Sequence, residues 1–248
     1  MQSVNDREAL EREHNKQGAV LSTLVFVVLA LLLIWPAASH PTRWLWKPGS
    51  SVSDLAVTHW PNAHFTRRML WEKGRFPLWR PTIMSGAPFA ANPLAALYYA
   101  PNWLLLFLPW IPLEAGFNLS ALMHLSLAGA TMYALMRSGL RTGFWGGLVA
   151  GVAYELSPKL LAHLGAGHVG WVQAWAWLPL VNLCALIASQ SRGRRRTGWA
   201  LAAGGALAVQ FCADVRLSAY TIMAAASLVM VRTISRLSDN KTKVSPDS

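Results

Sequence analysis

Long apolar segments recur along the whole chain and constrain its fold more than any other feature. Of the 248 residues, 54% are hydrophobic and only 13% are charged, whereas a soluble domain carries about 25% charged residues. A helix that crosses a membrane needs about 20 mainly apolar residues. Six segments approach this length, namely 19–39, 113–136, 143–157, 171–190, 198–213 and 217–235. The pattern predicts an all-α polytopic membrane protein with about six transmembrane helices.

A seventh apolar run, residues 93–112, contains four prolines, which disfavour a straight helix because proline has no backbone N–H donor. If this run does not cross, and the N-terminus is cytoplasmic, the arginine-rich segment 192–196 is cytoplasmic, in agreement with the positive-inside rule. If it crosses, that segment lies outside. We therefore expect the run to lie in the outer interface, or to dip in and return.

The predicted topology places both termini in the cytoplasm. Polar tails at 1–18 and 236–248 flank a transmembrane module at 19–235, and one large outer loop covers about residues 40–112. The net charge of +11 does not indicate nucleic-acid binding, because the basic residues flank apolar segments and no groove-reading motif accompanies them. Membrane lipids are the expected partners of this charge.

The outer loop carries the first candidate for chemistry. Asp54 is the only acidic residue between the first apolar segment and Glu72. A carboxylate near the bilayer surface suits a general base that acts on a hydroxyl acceptor, or a ligand of a divalent cation. A helix cap, or an ion pair with a neighbouring arginine, explains Asp54 equally well.

Basic residues follow Asp54 along the same loop. Arg67 and Arg68 fall on a short helix predicted at 64–73, which we expect to lie along the interface. They suit lipid headgroups, or the phosphate of a lipid-linked substrate. Arg80 lies among Trp79, a proline and the turn at 85–88, so we expect it to have a fixed partner.

A second outer loop, residues 155–171, contributes two histidines. His163 and His168 are five residues apart, with two glycines between them. Imidazoles suit metal binding and proton transfer. The predicted topology puts both on the face that carries Asp54, where the three residues could line one cavity and hold a divalent metal ion. Ordinary polar roles at helix ends remain open. Glu155 is expected to pair with Lys159, four residues later.

Several strings in the outer loop resemble a known family. Asp54 and Pro61 are followed by GRFPLWRP at 74–81, SGAP at 85–88, NP at 92–93 and YYAP at 98–101. This order is similar to that of YfhO-type bacterial membrane proteins, which belong to the GT-C superfamily of polyprenyl-phosphate-sugar-dependent glycosyltransferases. HLGAGH at 163–168, WAWLPL at 175–180 and LAVQFCADVRLSAY at 207–220 also look like that family. The resemblance covers about residues 20–235.

The resemblance implies a GT-C-like fold with juxtamembrane helices in the outer loop, and transfer of a sugar from a lipid-phosphate donor on the outer face. Asp54 matches the key acidic residue of the family by position, and would activate the acceptor or help to place a metal. An arginine of the loop would steady the leaving phosphate. The substrate-binding residues implied in this way are Arg67, Arg68, Arg80, Asn92 and Tyr98.

Two departures from the family leave an alternative open. Family members are usually longer, with more spans and often a C-terminal outer domain. Residues 214–216 stand where relatives often read Gly-His-Pro, so the resemblance assigns them no role. The alternative is a non-catalytic, shortened homologue that acts as a structural subunit and has other membrane subunits as partners. A transporter is disfavoured, because the sequence shows no internal repeat.

Overall fold

The computed structural model describes residues 4–35, 37–45 and 52–244, and most of this part of the chain is helical. Two short strands, β1 (Trp79–Arg80) and β2 (Ala87–Pro88), pair as an antiparallel hairpin. The α-helices are α1 (Val4–Leu33), α2 (Trp60–Trp71), α3 (Ala100–Leu106), α4 (Leu113–Ala134), α5 (Phe144–Glu155), α6 (Pro158–Ala166), α7 (Val169–Gln190), α8 (Gly193–Ala213) and α9 (Val215–Val244). Short π-helical turns at Leu55–His59 and Leu135–Gly139 precede α2 and extend α4.

Four helical segments are long and apolar enough to cross a membrane: Lys16–Leu33, Leu113–Gly139, Val169–Gln190 and Val215–Ser235. This architecture is compatible with an all-α, multi-pass membrane protein. The other two predicted spans, residues 143–157 and 198–213, are not among these four. The 12 residues of α5 extend only about 18 Å at 1.5 Å per residue, less than the ~30 Å of a bilayer core. The first turn of α8 is rich in arginine.

Helix α7 lies at the centre of the bundle. Within the described residues, 61% of its span is buried, compared with 17% of the spans in α1 and α9. Buried side chains of α7 join two apolar clusters, one with α8 and α9 and the other with α1, α4 and α6. The outward faces of α1 and α9 carry exposed Leu, Val, Ile and Met side chains. Such continuous apolar surfaces are typical of helices that contact lipid.

The segment between α1 and α4 forms a layer of short elements at one end of the bundle. Residues 93–112 contain only a 3₁₀ turn, Pro93–Ala95, and the seven-residue α3, which is about 10 Å long. Both elements are shorter than a bilayer core, in agreement with a run that does not cross, and its place in the outer interface stays a prediction. The helix predicted at 64–73 begins earlier, at Trp60, because Pro61 occupies a first-turn position where the missing N–H costs nothing.

Buried amide side chains tie α7 to its neighbours. Gln173 donates from Nε2 to Oδ1 of Asn102 at 2.7 Å and to Oγ of Ser120 at 2.9 Å, which links α7 to α3 and α4. Gln210 donates from Nε2 to the Ala174 carbonyl at 3.0 Å and to Oγ1 of Thr221 at 2.8 Å, which links α8 to α7 and α9. An amide in an apolar interior needs such partners. These bonds therefore help to fix the packing around α7.

The expected pair between Glu155 and Lys159 is wrong. Glu155 is fully buried beside Phe26 and Gly129, and neither carboxylate oxygen has a hydrogen-bond partner among the described residues. The Lys159 ammonium lies 5.4 Å from the centre of the Trp171 ring instead. The i,i+4 spacing pairs side chains only within one continuous helix. Here α5 ends at Glu155 and α6 begins at Pro158, so the two residues lie on different helices.

The Gln210→Leu variant tests the amide links, because it keeps the side-chain bulk and removes both donated bonds. We expect a loss of about 0.6–1.7 kcal/mol, the range measured for interhelical hydrogen bonds in membrane proteins. Unfolding of the purified chain in mixed detergent measures it. The neighbouring Phe211→Leu variant is the control, because Phe211 is exposed on the lipid side. Equal losses in both variants would contradict a structural role for Gln210.

Candidate functional site

A cavity of about 400 Å³ opens at the end of the bundle where α7 and α9 begin and α8 ends. The turn at 93–96 and the start of the Leu55–His59 turn complete its wall. Most of the bundle interior is apolar, yet charged and titratable side chains from three separate segments line this cavity. They are Asp54, His59, His168, Asp214 and Arg216. The arrangement makes this cavity the candidate functional site.

A chain of polar contacts runs from Asp54 into the second loop. Nε2 of His168 lies 3.1 Å from Oδ2 of Asp54. The Nδ1 atoms of His168 and His163 are 2.6 Å apart. Asp54 stands at the start of the Leu55–His59 turn but makes no capping bond with its side chain, and His168 makes none at the start of α7. The two side chains thus contact each other and do not cap the helix ends.

The contact between His163 and His168 limits where their protons can lie. One of the two facing Nδ1 atoms must donate and the other must accept. The ring of His163 stacks on Trp171, with centroids 3.8 Å apart. Burial, followed by the nearby His168 and Lys159, lowers the pKa of His163, so it is neutral at pH 7. In the tautomer of His168 that carries its proton on Nε2, facing Asp54, Nδ1 of His168 accepts and His163 donates from its Nδ1.

Two glycines beside His168 let the carboxylate-bearing segments approach. Gly167 has φ +79°, and a Cβ atom there would lie 2.5 Å from the backbone nitrogen of Leu55, next to Asp54. A Cβ atom at Gly170 would lie 2.6 Å from the carbonyl oxygen of Ala213, which precedes Asp214. Any larger residue would push these backbones apart. The glycines therefore position both carboxylates around His168.

Asp214 and Arg216 form the other side of the cavity. Arg216 donates to Asp214 from Nη2 at 2.6 Å and from Nε at 3.2 Å. Oδ1 of Asp214 also accepts from the backbone N–H groups of Arg216 and Leu217, so it caps α9. Burial acts to raise the pKa of Asp214, but these hydrogen bonds outweigh it and hold the pKa below its usual value. The side chain of Asp214 is only 7% exposed, whereas that of Arg216 is 68% exposed.

His59 lies behind Asp54 on the cavity wall. Burial lowers its pKa from 6.5 to about 4, although the nearby Asp54 carboxylate acts in the opposite direction and His168 adds to the lowering. His59 is consequently uncharged at neutral pH. It contributes shape and a polar edge to the cavity rather than a positive charge.

The three predicted phosphate-binding arginines do not line this cavity, and their predicted role stays a prediction. Arg67 donates to the Ile111 carbonyl at 2.8 Å and joins α2 to the loop before α4. Arg68 forms an exposed ion pair with Glu72 at 3.1 Å. Arg80 donates to Oδ1 of Asn62 at 2.7 Å, and its guanidinium lies 5.2 Å from the Phe65 ring centre. Each guanidinium contacts a residue of the layer of short elements between α1 and α4, or of α2 itself.

Asn92 and Tyr98 also lie away from the cavity. The side chain of Asn92 accepts from the backbone N–H of Leu94 and caps the 3₁₀ turn, while Tyr98 is largely exposed. Their substrate-binding roles also stay predictions.

The geometry of Asp54, His163 and His168 does not suit a shared metal ion. His168 uses one nitrogen on Asp54 and the other on His163, so the three side chains do not converge on one point. Among the described residues, no group of three His, Cys, Asp or Glu side chains has the arrangement of a metal site.

The sequence interpretation missed His59, Asp214 and Arg216 as lining residues. Asp214 and Arg216 could have been recognised from their position. They lie at the junction of two predicted spans, on the face to which the predicted topology assigns Asp54. Gly170 added a second signal, as a glycine one turn before the Trp-rich part of α7 indicates a close helix approach.

Comparison of the chain with protein-family models, with curated proteins and with solved structures finds no match.

The Gly167→Ala variant tests how the site is assembled. A left-handed backbone costs a non-glycine residue about 1–2 kcal/mol, and the added Cβ would also collide with the segment around Asp54. We expect the thermal midpoint in detergent to fall by at least about 2–4 °C. In the control Gly198→Ala, the new Cβ on α8 meets nothing within 4 Å, so no decrease is expected. A Gly167→Ala variant as stable as wild type would contradict the close approach.

The pH dependence of stability tests the burial of neutral His59. The unfolded chain takes up a proton at this residue near pH 6.5, whereas the folded protein does so only near pH 4. The unfolded state therefore binds more protons between these values, and stability falls as the pH drops from 6.5 to 4. We expect a shallower fall in His59→Gln, measured as thermal midpoint against pH. The exposed His64→Gln is the control; a slope in His59→Gln equal to that of wild type would refute the assignment.

Proposed function

We propose that this chain is a membrane glycosyltransferase-like protein, which transfers a sugar from a polyprenyl-phosphate donor to a hydroxyl acceptor in the Asp54 cavity. The observation that carries the proposal is the convergence of Asp54, the His168–His163 relay and Arg216 on one open cavity at the end of an apolar helix bundle. Ionisable groups grouped in this way at a membrane surface are typical of functional sites. The family-like strings of the outer loop add the substrate class.

Asp54 is the proposed general base. Its side chain is 53% exposed, so an acceptor can reach it. Nε2 of His168 lies 3.1 Å from Oδ2, and the other oxygen has no partner among the described residues. That oxygen takes the hydroxyl proton of the acceptor while the hydroxyl oxygen forms a bond to the anomeric carbon. The bond between this carbon and the phosphate oxygen breaks, and polyprenyl phosphate leaves with the electron pair.

The pair of His168 and His163, called the His168–His163 relay, holds the Asp54 carboxylate in position for this step. His168 lies against Oδ2 of Asp54 and holds the carboxylate in place, so that its other oxygen faces the acceptor. His163 holds the ring of His168 in the tautomer that donates to Asp54. These two histidines are therefore positioning residues, because they act through Asp54 rather than on the substrate.

Arg216 is the proposed partner of the leaving phosphate. Two of its nitrogens bind Asp214, which fixes the plane of the guanidinium. The exposed remainder of the group faces the same cavity as Asp54. A preoriented guanidinium stabilises the charge that grows on a departing phosphate. This assignment gives Arg216 the role that the resemblance implied for the arginines of the outer loop.

The proposed topology follows from the positions of charge. The cavity lies at one end of α7, α8 and α9, and the arginine-rich start of α8 lies at the other. If the arginine-rich end is cytoplasmic, the cavity faces outward and both termini are inside. About six spans, including the short α5 and the less apolar α8, complete a GT-C-like module in a bacterial inner membrane.

The test is sugar transfer by the chain in proteoliposomes supplied with a panel of radiolabelled polyprenyl-phosphate hexoses. We expect Asp54→Asn to lower the rate by about 10²–10⁴-fold, the usual contribution of a general base. Glu72→Gln is the matched control, because Glu72 is an exposed acid of the same loop that pairs only with Arg68. Its rate should equal that of wild type.

Transfer by Asp54→Asn at the wild-type rate would contradict the role of Asp54. Absence of transfer with every donor, together with a stoichiometric membrane subunit in gentle-detergent purification, would favour the alternative of a structural subunit.

A further inference from the structure

A second polar cavity lies at the opposite end of the bundle from Asp54. Its volume is about 610 Å³, and it opens between the end of α4, the end of α7 and the start of α8. The 21-residue separation between the two ends of α7 places it about 30 Å from the first cavity, at 1.5 Å per residue. The residues that line it are Ser138, Arg141, Leu183, Ile187, Gln190, Ser191, Arg192, Arg195 and Trp199.

The charge of this second cavity is entirely positive. Arg141, Arg192 and Arg195 line it, and no acidic residue does. Within residues 4–35, 37–45 and 52–244, no ion pair involves any of the three. Guanidinium groups present fixed pairs of donors that match phosphate oxygens. Three unneutralised guanidinium groups around one cavity therefore fit a phosphate-bearing ligand.

Neutral donors strengthen this chemistry. The side-chain nitrogen of Gln190 is buried and has no hydrogen-bond partner in the described part of the chain, and it belongs to the same lining as the hydroxyls of Ser138 and Ser191. A buried donor left without an acceptor costs free energy. A ligand that brings oxygen atoms into the cavity would relieve that cost.

The wall changes from polar to apolar along α7. Ile187 and Leu183 line the cavity one and two turns before Gln190, respectively, toward the centre of the bundle. Trp199 lies one turn after Arg195 on α8, and tryptophan is enriched where headgroups meet hydrocarbon. A free phosphate ion would use only the polar half. The lining thus matches a ligand with an anionic head and an apolar tail.

We propose that this cavity, here called the arginine cavity, binds one anionic phospholipid. Arg141, Arg192 and Arg195 hold the phosphodiester, while an acyl chain lies against Leu183 and Ile187. Basic pockets between transmembrane helices are known to hold such headgroups. The site is separate from the Asp54 cavity and does not depend on the function proposed for it.

Neighbouring arginines provide a matched control. Arg194 and Arg196 lie on the same turn of α8 as Arg195 but do not line the arginine cavity. The pair Arg192→Gln with Arg195→Gln and the pair Arg194→Gln with Arg196→Gln remove the same charge from the same turn. A specific site separates these two variants, whereas diffuse attraction between a basic surface and anionic lipid does not.

The experiment is native mass spectrometry of the full chain in detergent, titrated with dioleoyl phosphatidylglycerol or dioleoyl phosphatidylcholine. We expect one retained phosphatidylglycerol per chain and no retained phosphatidylcholine. Arg192→Gln with Arg195→Gln should weaken retention about 30-fold, given roughly 1 kcal/mol for each of the two arginines near an anionic lipid. The control pair should weaken it by less than about twofold, because its arginines do not line the cavity. Equal weakening in both pairs would overturn the proposal. Displacement of the lipid by inorganic phosphate would also overturn it, in favour of a site for soluble anions.

A second measurement uses no arginine variant, so it stands even if those variants fold poorly. Phosphatidylglycerol with brominated acyl chains should quench a part of the tryptophan fluorescence that is missing in Trp199→Phe. Brominated phosphatidylcholine should not distinguish the two proteins. Identical quenching of wild type and Trp199→Phe by brominated phosphatidylglycerol would place the lipid elsewhere and refute the site.

Discussion

The close approach of Gly167 to the backbone between Ser53 and Leu55 is the contact on which the candidate site depends. It brings two loops that are more than one hundred residues apart in sequence to within hydrogen-bond distance. Only a residue without a side chain permits both the left-handed backbone and the short separation. Asp54 and His168 meet because their backbones meet here. The ionisable groups of the cavity are therefore a consequence of packing, rather than of attraction between exposed charges, which is weak in water.

Helix α7 connects the Asp54 cavity to the other end of the bundle. Its first turn contains Gly170, its second turn contains Gln173 and Ala174, which take part in the amide links, and its last residue lines the arginine cavity. The two cavities thus share one rigid, mostly buried helix while facing opposite ends of the bundle. This division suits a membrane protein that performs chemistry at one surface and is anchored by lipid at the other.

Much of the fold was predictable because hydrophobicity and proline act locally. Apolar length located the four long helices, and the prolines of residues 93–112 excluded a fifth long one there. The sequence also indicated Asp54, His163 and His168, since polar groups between apolar segments are conspicuous. The partners of these groups were not predictable, because they depend on helix packing across the chain. Two examples are the burial of Glu155 and the presence of Asp214 and Arg216 in the cavity wall.

Cysteine cross-linking between positions 53 and 166 tests the central claim most directly, since Oγ of Ser53 lies 3.5 Å from the Ala166 carbonyl. The native Cys184 and Cys212 are first replaced by alanine. We predict rapid linkage of Ser53→Cys with Ala166→Cys by a short bifunctional thiol reagent, and none for Ala166→Cys with Met84→Cys, which places the second thiol on the 90%-exposed hairpin tip. Failure of the first pair to link, with both thiols reactive toward maleimide, would contradict the assembly of the Asp54 cavity.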